Sequence, residues 1–273
     1  MNSGQFTDQM GRDVLVAHQP QRIVCLVPSI TELLFDLGLG NHVVGVTRFC
    51  IHPETARKNS VNIGGTKKLH LDRIATLKPD LIIGSKEENT RAEITRLWDQ
   101  HPVWMSDVET IADGIEMIRQ LGSVCRVSDR ANEIANKIEQ SFTTLNNDVP
   151  TIKIRVAYLI WYNPIMVSGR ANFITDVLHC AGWQNAFETG DYSGSNRYPT
   201  VTMDDLKKTK PNVVLLSSEP FPFSEKHIQE FEKELNCPAI LVDGELFSWY
   251  GSRMLKMPDY LKKVNVQINS AHQ

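Results

Sequence analysis

The sequence carries one pattern twice, as LDRIATLKPDLIIGS at residues 71–85 and as MDDLKKTKPNVVLLS at residues 203–217. The two copies align without a gap. Each has a helix-forming segment that stops at a Lys-Pro pair and is followed by a continuous apolar run, which is typical of a buried parallel strand. The identical positions are an acid, the Lys-Pro pair and a final serine: Asp72 with Asp204, Lys78-Pro79 with Lys210-Pro211, and Ser85 with Ser217.

Two weaker matches, one before and one after this pattern, occur in the same order in both halves of the chain. Residues 101–107 align with residues 237–243, and residues 32–38 align with residues 176–182. A shared order over three matches favours two similar α/β lobes. The predicted boundaries are residues 1–125 for the N-terminal α/β lobe, 126–148 for the linking backbone helix and 149–273 for the C-terminal α/β lobe.

Apolar runs alternate with segments of helical period in both halves, which indicates mainly parallel sheets with helices on both faces. The predicted strands are residues 22–27, 42–47, 80–85, 103–106, 154–161, 213–217 and 239–242. The predicted helices are residues 71–77, 88–98, 173–181, 228–235 and 252–268, with Pro258 in the first turn of the last helix or at a kink. The fold class is therefore α/β, with two similar lobes of mainly parallel sheet joined by one long backbone helix.

That backbone helix lies between the two repeats. Ser128 or Asp129 can cap its start, and it ends near Pro150. Because a helical linker is stiff, we expect a cleft between the lobes and limited hinge motion. Its apolar residues recur at spacings of three and four and form one stripe: Ala131, Ile134, Ala135, Ile138, Phe142 and Leu145.

A helix start follows the first predicted strand. Pro28 ends the strand, and the segment from Ser29 to Glu32 has the pattern of a capping box. A serine after a strand also resembles a nucleophile elbow, but its neighbours Pro28 and Ile30 are bulky where that turn needs glycine. The sequence also contains no GxSxG motif and no P-loop. We therefore predict that the protein is not an enzyme.

Composition and charge exclude several classes of protein. The 273 residues are 41% hydrophobic with a net charge of -3, which gives no reason to expect binding to nucleic acid or anionic lipid. No apolar run reaches the roughly 18 residues needed to span a bilayer, and residues 1–14 lack the regions of a signal peptide. The five cysteines include no CxxC pair, which argues against a disulfide framework and leans toward a reducing compartment.

A metal site built only from protein side chains is not expected either. The histidines are scattered, and the sequence has no HxH, HxxxH or HExxH motif. A single side chain could still coordinate the metal of a chelate that binds to the protein. The residues of suitable type for that role are Tyr162, Tyr198, Tyr250, His52 and Cys50.

Ligands of parallel sheets bind beyond the carboxyl ends of the strands, so the loops after each strand supply the candidates. Aromatic rings there suit a flat, partly apolar ligand, and basic groups suit its carboxylate, catecholate or phosphate groups. The alternatives are core packing for the rings and solvated loops for the charges. The aromatic candidates are Trp161, Tyr162, Trp249 and Tyr250, and the basic candidates are Arg48, Lys67 and Arg253, followed by Lys68, Arg170 and Arg197.

Six segments together resemble a known family, the binding proteins of cobalamin, siderophore and haem importers, and are most similar to its vitamin B12 binders. The segments are DQMGRDV at residues 8–14, PQRIV at 20–24, PSITE at 28–32, LGNHVVGV at 39–46, LDRI at 71–74 and LKPDLI at 77–82. The resemblance implies a monomer that carries a metal chelate and has no cofactor of its own. In this alignment Tyr198 falls where B12 binders have an aromatic contact, whereas Thr66 stands where they have a tryptophan.

The resemblance also implies a partner. In this family an acidic residue on each lobe, usually glutamate, docks onto arginines of a two-fold symmetric permease. The matching residues are Asp72 and Asp204, the same pair that the internal repeat aligns. The alternative is that each aspartate simply stabilises the start of a helix through the helix dipole.

The expected function is that of an ABC importer's solute-binding protein, which captures a metal chelate (cobalamin, ferric siderophore or haem) in the cleft and delivers it to the permease. By resemblance the location is periplasmic or otherwise extracytoplasmic. Since fold alone does not fix function, a cytosolic chelate-binding chaperone, sensor or salvage-enzyme partner on the same fold is the alternative.

Overall fold

The computed structural model describes residues 4–16, 18–147 and 154–271, and the chain forms two compact units. The predicted lobe boundaries stay predictions, and the predicted end of the linking helix at residue 148 lies outside the described residues. Unit 1 comprises Met1–Val108, Ala112–Ile138 and Tyr250–Arg253, and unit 2 comprises Glu109–Ile111, Glu139–Trp249 and Met254–Gln273.

The first part of the chain alternates strands and helices as the sequence predicts. Its elements are β1 (Gly4–Thr7), β2 (Asp13–Val16), β3 (Ile23–Cys25), α1 (Pro28–Asp36), β4 (Val43–Val46), α2 (Glu54–Asn59), β5 (Val61–Asn62), α3 (Leu71–Leu77), β6 (Leu81–Ser85), α4 (Arg91–Trp98), β7 (Val103–Ser106), α5 (Ile111–Val124) and α6 (Ser128–Asn147). The strands β5-β4-β3-β6-β7 form a parallel sheet in that order. Every residue of β3, β6 and β7 is buried, as expected for a sheet covered on both faces.

The second part of the chain has a mixed sheet. Its elements are β8 (Ile154–Trp161), β9 (Met166–Val167), α7 (Phe173–Cys180), β10 (Trp183–Asn185), β11 (Ser193–Gly194), β12 (Pro199–Thr200), α8 (Met203–Thr209), β13 (Val213–Ser217), α9 (Glu225–Leu235), β14 (Ala239–Val242), α10 (Glu245–Ser248) and α11 (Met257–Ala271). Strands β10, β8, β13 and β14 are parallel, whereas β9, β12 and β11 add an antiparallel ribbon beside the end of β8.

The structure contains the internal repeat. Helices α3 and α8 both end at a lysine with a left-handed backbone, φ 46° at Lys78 and φ 47° at Lys210. Strand pairing keeps the same register, because Ile82 pairs with Val103 in the first sheet and the aligned Val214 pairs with Ala239 in the second. The two halves therefore repeat their helix–strand geometry, which confirms the prediction of two similar α/β lobes.

Helix α6 confirms the predicted long helix, but the sequence did not reveal α5. Its apolar period is interrupted by Gly114 and Gly122, which lower helix propensity. The packing explains one of them, because a Cβ on Gly122 would stand 2.2 Å from the Cβ of Ala131. Gly122 thus lets α5 approach α6 closely at a cost in intrinsic helix stability.

The predicted capping box at Ser29 is wrong. Helix α1 begins two residues earlier than the box implies, with Val27 as its N-cap and Pro28 as its first residue, and no side chain caps its first turn. Proline suits this position because its missing N–H would be unpaired there anyway. The carboxylate of Glu32 binds Arg253 instead.

The C-terminal segment also differs from the predicted single helix. A short 3₁₀ helix at Ser252–Lys256 precedes α11, and Pro258 lies in the first turn of α11, one of its two predicted places. Over residues 4–16, 18–147 and 154–271, no helix is both long enough and apolar enough to cross a membrane.

The free edge of β7 is covered by a segment that the sequence did not predict to be structured. The N–H of Gln9 donates to the carbonyl of Met105 at 3.1 Å, and the N–H of Met105 donates to Asp8 at 3.3 Å. Arg12 pairs with Asp8 at 2.7 Å and donates to the carbonyl of Val103. Covering an edge in this way removes a template for unwanted strand pairing.

Candidate ligand-binding surfaces

The loops at the carboxyl ends of the strands are described for each unit separately. In unit 1 they are residues 47–50 after β4, residues 64–68 after β5 and residues 86–89 after β6, here called the unit 1 surface. In unit 2 they are residues 161–163 after β8, residues 218–219 after β13 and residues 243–249 after β14, here called the unit 2 surface.

The loop after β4 has a buried anchor. The Cys50 sulfur lies 3.2 Å from the Thr31 hydroxyl and 3.3 Å from the Thr47 hydroxyl. Burial raises the pKa of the Cys50 thiol, so it stays protonated near neutral pH. With Thr47 and Cys50 fixed inside, the two residues between them, Arg48 and Phe49, are presented on the surface.

Arg48 and Phe49 form one exposed structure. The guanidinium carbon of Arg48 lies 4.8 Å from the Phe49 ring centroid, within the range of a cation–π contact. The Arg48 N–H donates to the carbonyl of Gly64 at 2.8 Å. A Cβ on Gly65 would meet the Phe49 ring at 3.3 Å, so the neighbouring loop passes directly beside the ring.

The loop at residues 64–68 is tied to the loop after β6. The carbonyl of Thr66 accepts from Asn89 at 2.9 Å, and the Lys67 ammonium donates to the carbonyl of Glu87 at 2.6 Å. Burial raises the pKa of Glu88, against the opposing effect of Lys67. The predicted residues Arg48 and Lys67 therefore both lie on the unit 1 surface.

Tyr250 and Arg253 belong to unit 1 but lie in its interior. The Tyr250 hydroxyl donates to Ser85 at 2.9 Å, and only 5% of the residue is exposed. Arg253 makes a two-pronged ion pair with Glu32, at 2.7 and 2.9 Å. These contacts occupy the groups that the sequence analysis assigned to a ligand, so the geometry favours packing roles, and ligand contact stays a prediction.

The two aromatic residues after β8 differ in exposure: Trp161 is exposed, whereas Tyr162 is packed against the core. Trp161 is 38% exposed and contacts the edge of Phe221, with ring centroids 5.7 Å apart. Tyr162 instead packs against the core, and its hydroxyl donates to Glu230 at 2.8 Å. The hydrogen bond to Glu230 raises the pKa of Tyr162. Of these two predicted residues, Trp161 is the more available to a ligand.

Trp249 adjoins an acidic pocket that the sequence did not reveal. Its indole N–H donates to Glu219 at 2.8 Å, and the Ser248 hydroxyl donates to the same oxygen. An open pocket of about 660 Å³ lies here on unit 2. Its lining residues come from the ends of β13 and β14 and from α10: Ser218, Glu219, Leu241, Val242, Asp243 and Glu245.

Tyr198 is half-buried and sits next to a buried polar network. The carbonyl of the preceding residue, Arg197, accepts from Asn172 at 2.7 Å and from the N–H of Gly169 at 2.8 Å. The Arg197 side chain is itself paired with Glu109. The network fixes the backbone before Tyr198, while the predicted ligand contact of the ring stays untested.

Asp72 and Asp204 occupy the same position in the two repeats. Each is the second residue of its helix, α3 or α8, and each is exposed. An acid in the first turn stabilises a helix and also leaves its carboxylate free for a partner. A pocket of about 390 Å³ adjoins the first of the two and is lined by Leu69, His70, Leu71, Asp72, Arg73 and Arg96.

Within the part of the chain that the structure describes, no three His, Cys, Asp or Glu side chains are grouped so as to hold a metal ion. The unit 1 surface can offer a cation and an apolar ring. The unit 2 surface can offer the Trp161 ring and a group of carboxylates.

The model of the periplasmic binding protein family matches residues 23–236. The chain belongs to this family. A vitamin B12-binding protein of Pectobacterium carotovorum subsp. carotovorum is 25% identical over 241 residues, which cover 86% of this chain and 85% of that protein.

Solved structures show the same fold. The periplasmic vitamin B12 binding protein of Vibrio cholerae superposes with a TM-score of 0.80 at 21% identity, covering 93% of this chain and 99% of that one. The periplasmic heme-binding protein of Roseiflexus sp. RS-1 gives a TM-score of 0.76 at 20% identity, with coverage of 93% and 99%. The predicted α/β fold class is therefore confirmed.

Membership of this family confirms two predictions about function. Its members bind and carry a ligand rather than transform it, so the prediction that the protein is not an enzyme is confirmed. They also need no cofactor of their own, because the bound group is cargo.

Proposed function

We propose that this protein is the solute-binding component of an ABC importer, which captures a metal chelate outside the cytoplasm and delivers it to a membrane permease. Its family supports capture as the basic activity. The named relatives, which bind vitamin B12 or haem, support a metal chelate as the cargo. The exposure of Arg48, Phe49 and Trp161 on these surfaces supports them as its contacts.

The observation that carries delivery to a permease is the matched placement of Asp72 and Asp204. Both stand at the second position of equivalent helices and both are exposed. A permease made of two like subunits presents the same surface twice, and two equivalent carboxylates suit two equivalent arginine sites.

Titration of the purified protein tests capture. The ligands are cyanocobalamin, haemin, a ferric catecholate and a neutral ferric hydroxamate, followed by tryptophan fluorescence. The proposal predicts that one of them quenches the emission at micromolar concentration or below, because Trp161 lies on the unit 2 surface. If the folded protein responds to none of them by fluorescence or by calorimetry, the proposed chelate-binding function is refuted.

Delivery is tested with Asp72→Ala, Asp204→Ala and the double variant. We expect each to weaken binding to the detergent-solubilised permease and the double variant to abolish it, with chelate affinity unchanged. The conservative Asp→Glu variants should keep binding, and Glu54→Ala, an exposed acid in the first turn of α2, is the matched control. Full permease binding by the double variant would refute the docking role.

A further inference from the structure

The structure separates the basic candidates by whether a carboxylate already holds them. Arg253 pairs with Glu32, and Arg197 pairs with Glu109. Arg48 is exposed, and within the described residues its guanidinium makes neither a hydrogen bond nor an ion pair with protein. Its charge is therefore available to a ligand.

The position of this free guanidinium is nevertheless fixed. The Phe49 ring lies beneath it at 4.8 Å, and the Arg48 N–H is bound to the carbonyl of Gly64. The flanking residues Thr47 and Cys50 are fully buried and contact each other through their side chains. A cation held in place before binding loses less entropy when it meets an anion.

The apolar part of the same loop is unusually open. Phe49 is 46% exposed and Ile51 is 43% exposed. The next loop passes close to the ring at Gly65, where a Cβ would stand 3.3 Å from Phe49. The loop therefore offers an exposed ring, an exposed aliphatic side chain and a guanidinium close together, which suits a planar ligand that carries an acidic group at its edge.

We infer that Arg48 and Phe49 form a subsite for a flat metal chelate whose rim carries ionised oxygen groups, so that the protein selects anionic chelates over neutral ones. The inference rests on the proposed function and adds the ligand's charge to it. Phe49 covers an apolar face of the chelate, and Arg48 donates to the anionic group. An arginine keeps its charge at all physiological pH values and presents its donors in a planar fork suited to carboxylates.

The other charges near this subsite do not cancel it. Lys67 and Lys68 are exposed on the adjacent loop and add positive charge. The carboxylate of Glu87 opposes them, while burial makes the neighbouring Glu88 harder to ionise by raising its pKa. The local field on the unit 1 surface therefore favours an anion, although the net charge of the chain is -3.

Calorimetric titration of Arg48→Gln tests the inference with two anionic ligands, haemin and a ferric catecholate, and two neutral ligands, cyanocobalamin and a ferric hydroxamate. The wild type should bind one of the anionic ligands most tightly. Loss of one charge-assisted contact should weaken that ligand about tenfold and leave neutral ligands unaffected. Arg48→Lys should retain part of the affinity, and Arg57→Gln, in the last turn of α2, is the matched charge control.

Phe49→Ala separates the ring from the charge. It should weaken all flat ligands, whereas Phe49→Leu should restore part of the loss, with thermal unfolding showing that each variant is folded. If the wild type prefers a neutral chelate, or if Arg48→Gln binds the anionic ligand as tightly as the wild type, the inference is wrong while the proposed function stands. If the folded wild type binds no chelate, both are wrong.

Discussion

Units 1 and 2 share the same helix–strand geometry but differ in the side chains of the loops that follow their strands. At the end of β6, Ser85 accepts the Tyr250 hydroxyl at 2.9 Å, and at the end of β13 the aligned Ser217 accepts the Tyr158 hydroxyl at 3.1 Å. Beyond those serines the surfaces diverge. Unit 1 presents Arg48 with an exposed phenylalanine, whereas unit 2 presents Trp161 and a pocket with three acidic residues. The repeated helices and strands therefore have the same geometry in both units, whereas the loops carry different functional groups.

The two sheet edges show the same contrast. The edge of β7 is covered by the backbone and side chains of residues 8–12. On β14, side chains block the ends, since Glu232 accepts from the N–H of Ala239 and the Tyr260 hydroxyl accepts from the N–H of Asp243. Between them Leu241 stays 36% exposed. The chain thus protects its exposed strand edges in two ways, with a covering segment at β7 and with side chains at β14.

The largest expected difference between the units is in thiol reactivity. Cys25, Cys50 and Cys125 of unit 1 are buried, whereas Cys180 and Cys237 of unit 2 are partly exposed. Alkylation of the native protein at pH 8, followed by mass spectrometry, should label the unit 2 cysteines faster, because buried thiols react only through local opening. Burial raises the pKa of Cys180 to about 12 and that of Cys237 to about 11, so Cys237 should be labelled first. Equal rates for all five would show that unit 1 opens far more readily than its packing suggests.

The same thiols predict alkaline destabilisation. Burial raises the pKa of Cys25 and of Cys125 from 9.0 to about 12. The stability linked to keeping them protonated is fully present below pH 9 and is lost as pH rises toward 12. Urea unfolding at intervals from pH 8 upward should show this loss reduced in Cys25→Ala and Cys125→Ala. An undiminished loss in both variants would assign it to other groups.

The next largest effect comes from a long-range ion pair in unit 1. The Glu32 and Arg253 side chains are 13% and 8% exposed. Glu32→Ala should lower the free energy of unfolding in urea by about 3 kcal/mol, because it removes the carboxylate that faces a buried guanidinium. Glu133→Ala, which breaks exposed pairs with Arg130 and Lys137, should change stability too little to resolve. A loss for Glu32→Ala no larger than for Glu133→Ala would contradict this assignment.

The matched serines should respond alike. Ser85→Ala and Ser217→Ala each remove one hydrogen bond of a buried tyrosine hydroxyl, which should cost about 1–2 kcal/mol in the free energy of unfolding. Urea titration followed by circular dichroism measures both. A difference much larger than the experimental error would mean that the two sites are equivalent in shape but not in energy.

The smallest effect concerns the two left-handed helix ends. Lys78→Gly and Lys210→Gly should each raise the free energy of unfolding by about 0.5 kcal/mol, because glycine adopts positive φ without a Cβ penalty. Thermal unfolding should show a rise of similar size for both. Destabilisation by either variant would indicate that the lysine side chain contributes more than its backbone costs.

Local pattern was enough to predict most of the frame. Strands at Val103–Ser106 and Ile154–Trp161 and the helix at Leu71–Leu77 have the predicted bounds, since continuous burial and helical period are readable from neighbouring residues. Helix α5 was missed because glycines that serve its packing weaken its local signal. The capping box failed because Glu32 has a partner 221 residues away, which no local pattern can show.

The candidate site could be predicted only by location. The rule that ligands bind beyond the carboxyl ends of parallel strands selects the candidate loops of each sheet. The sequence could not tell which charged or aromatic groups are already occupied, since the partner of Arg197 and the acceptor of the Trp249 indole are distant along the chain. It also gave no sign of the acidic pocket, whose residues come from separate elements of unit 2.

Our main proposal is that a chelate binds at the loops beyond the carboxyl ends of the strands. Hydrogen–deuterium exchange with and without the chelate that binds most tightly tests it. We expect slower exchange at residues 47–50, 64–68 and 161–163 when the chelate is present, with the β1–β2 hairpin unchanged. Unchanged exchange in these loops under saturating chelate, with protection elsewhere, would contradict it.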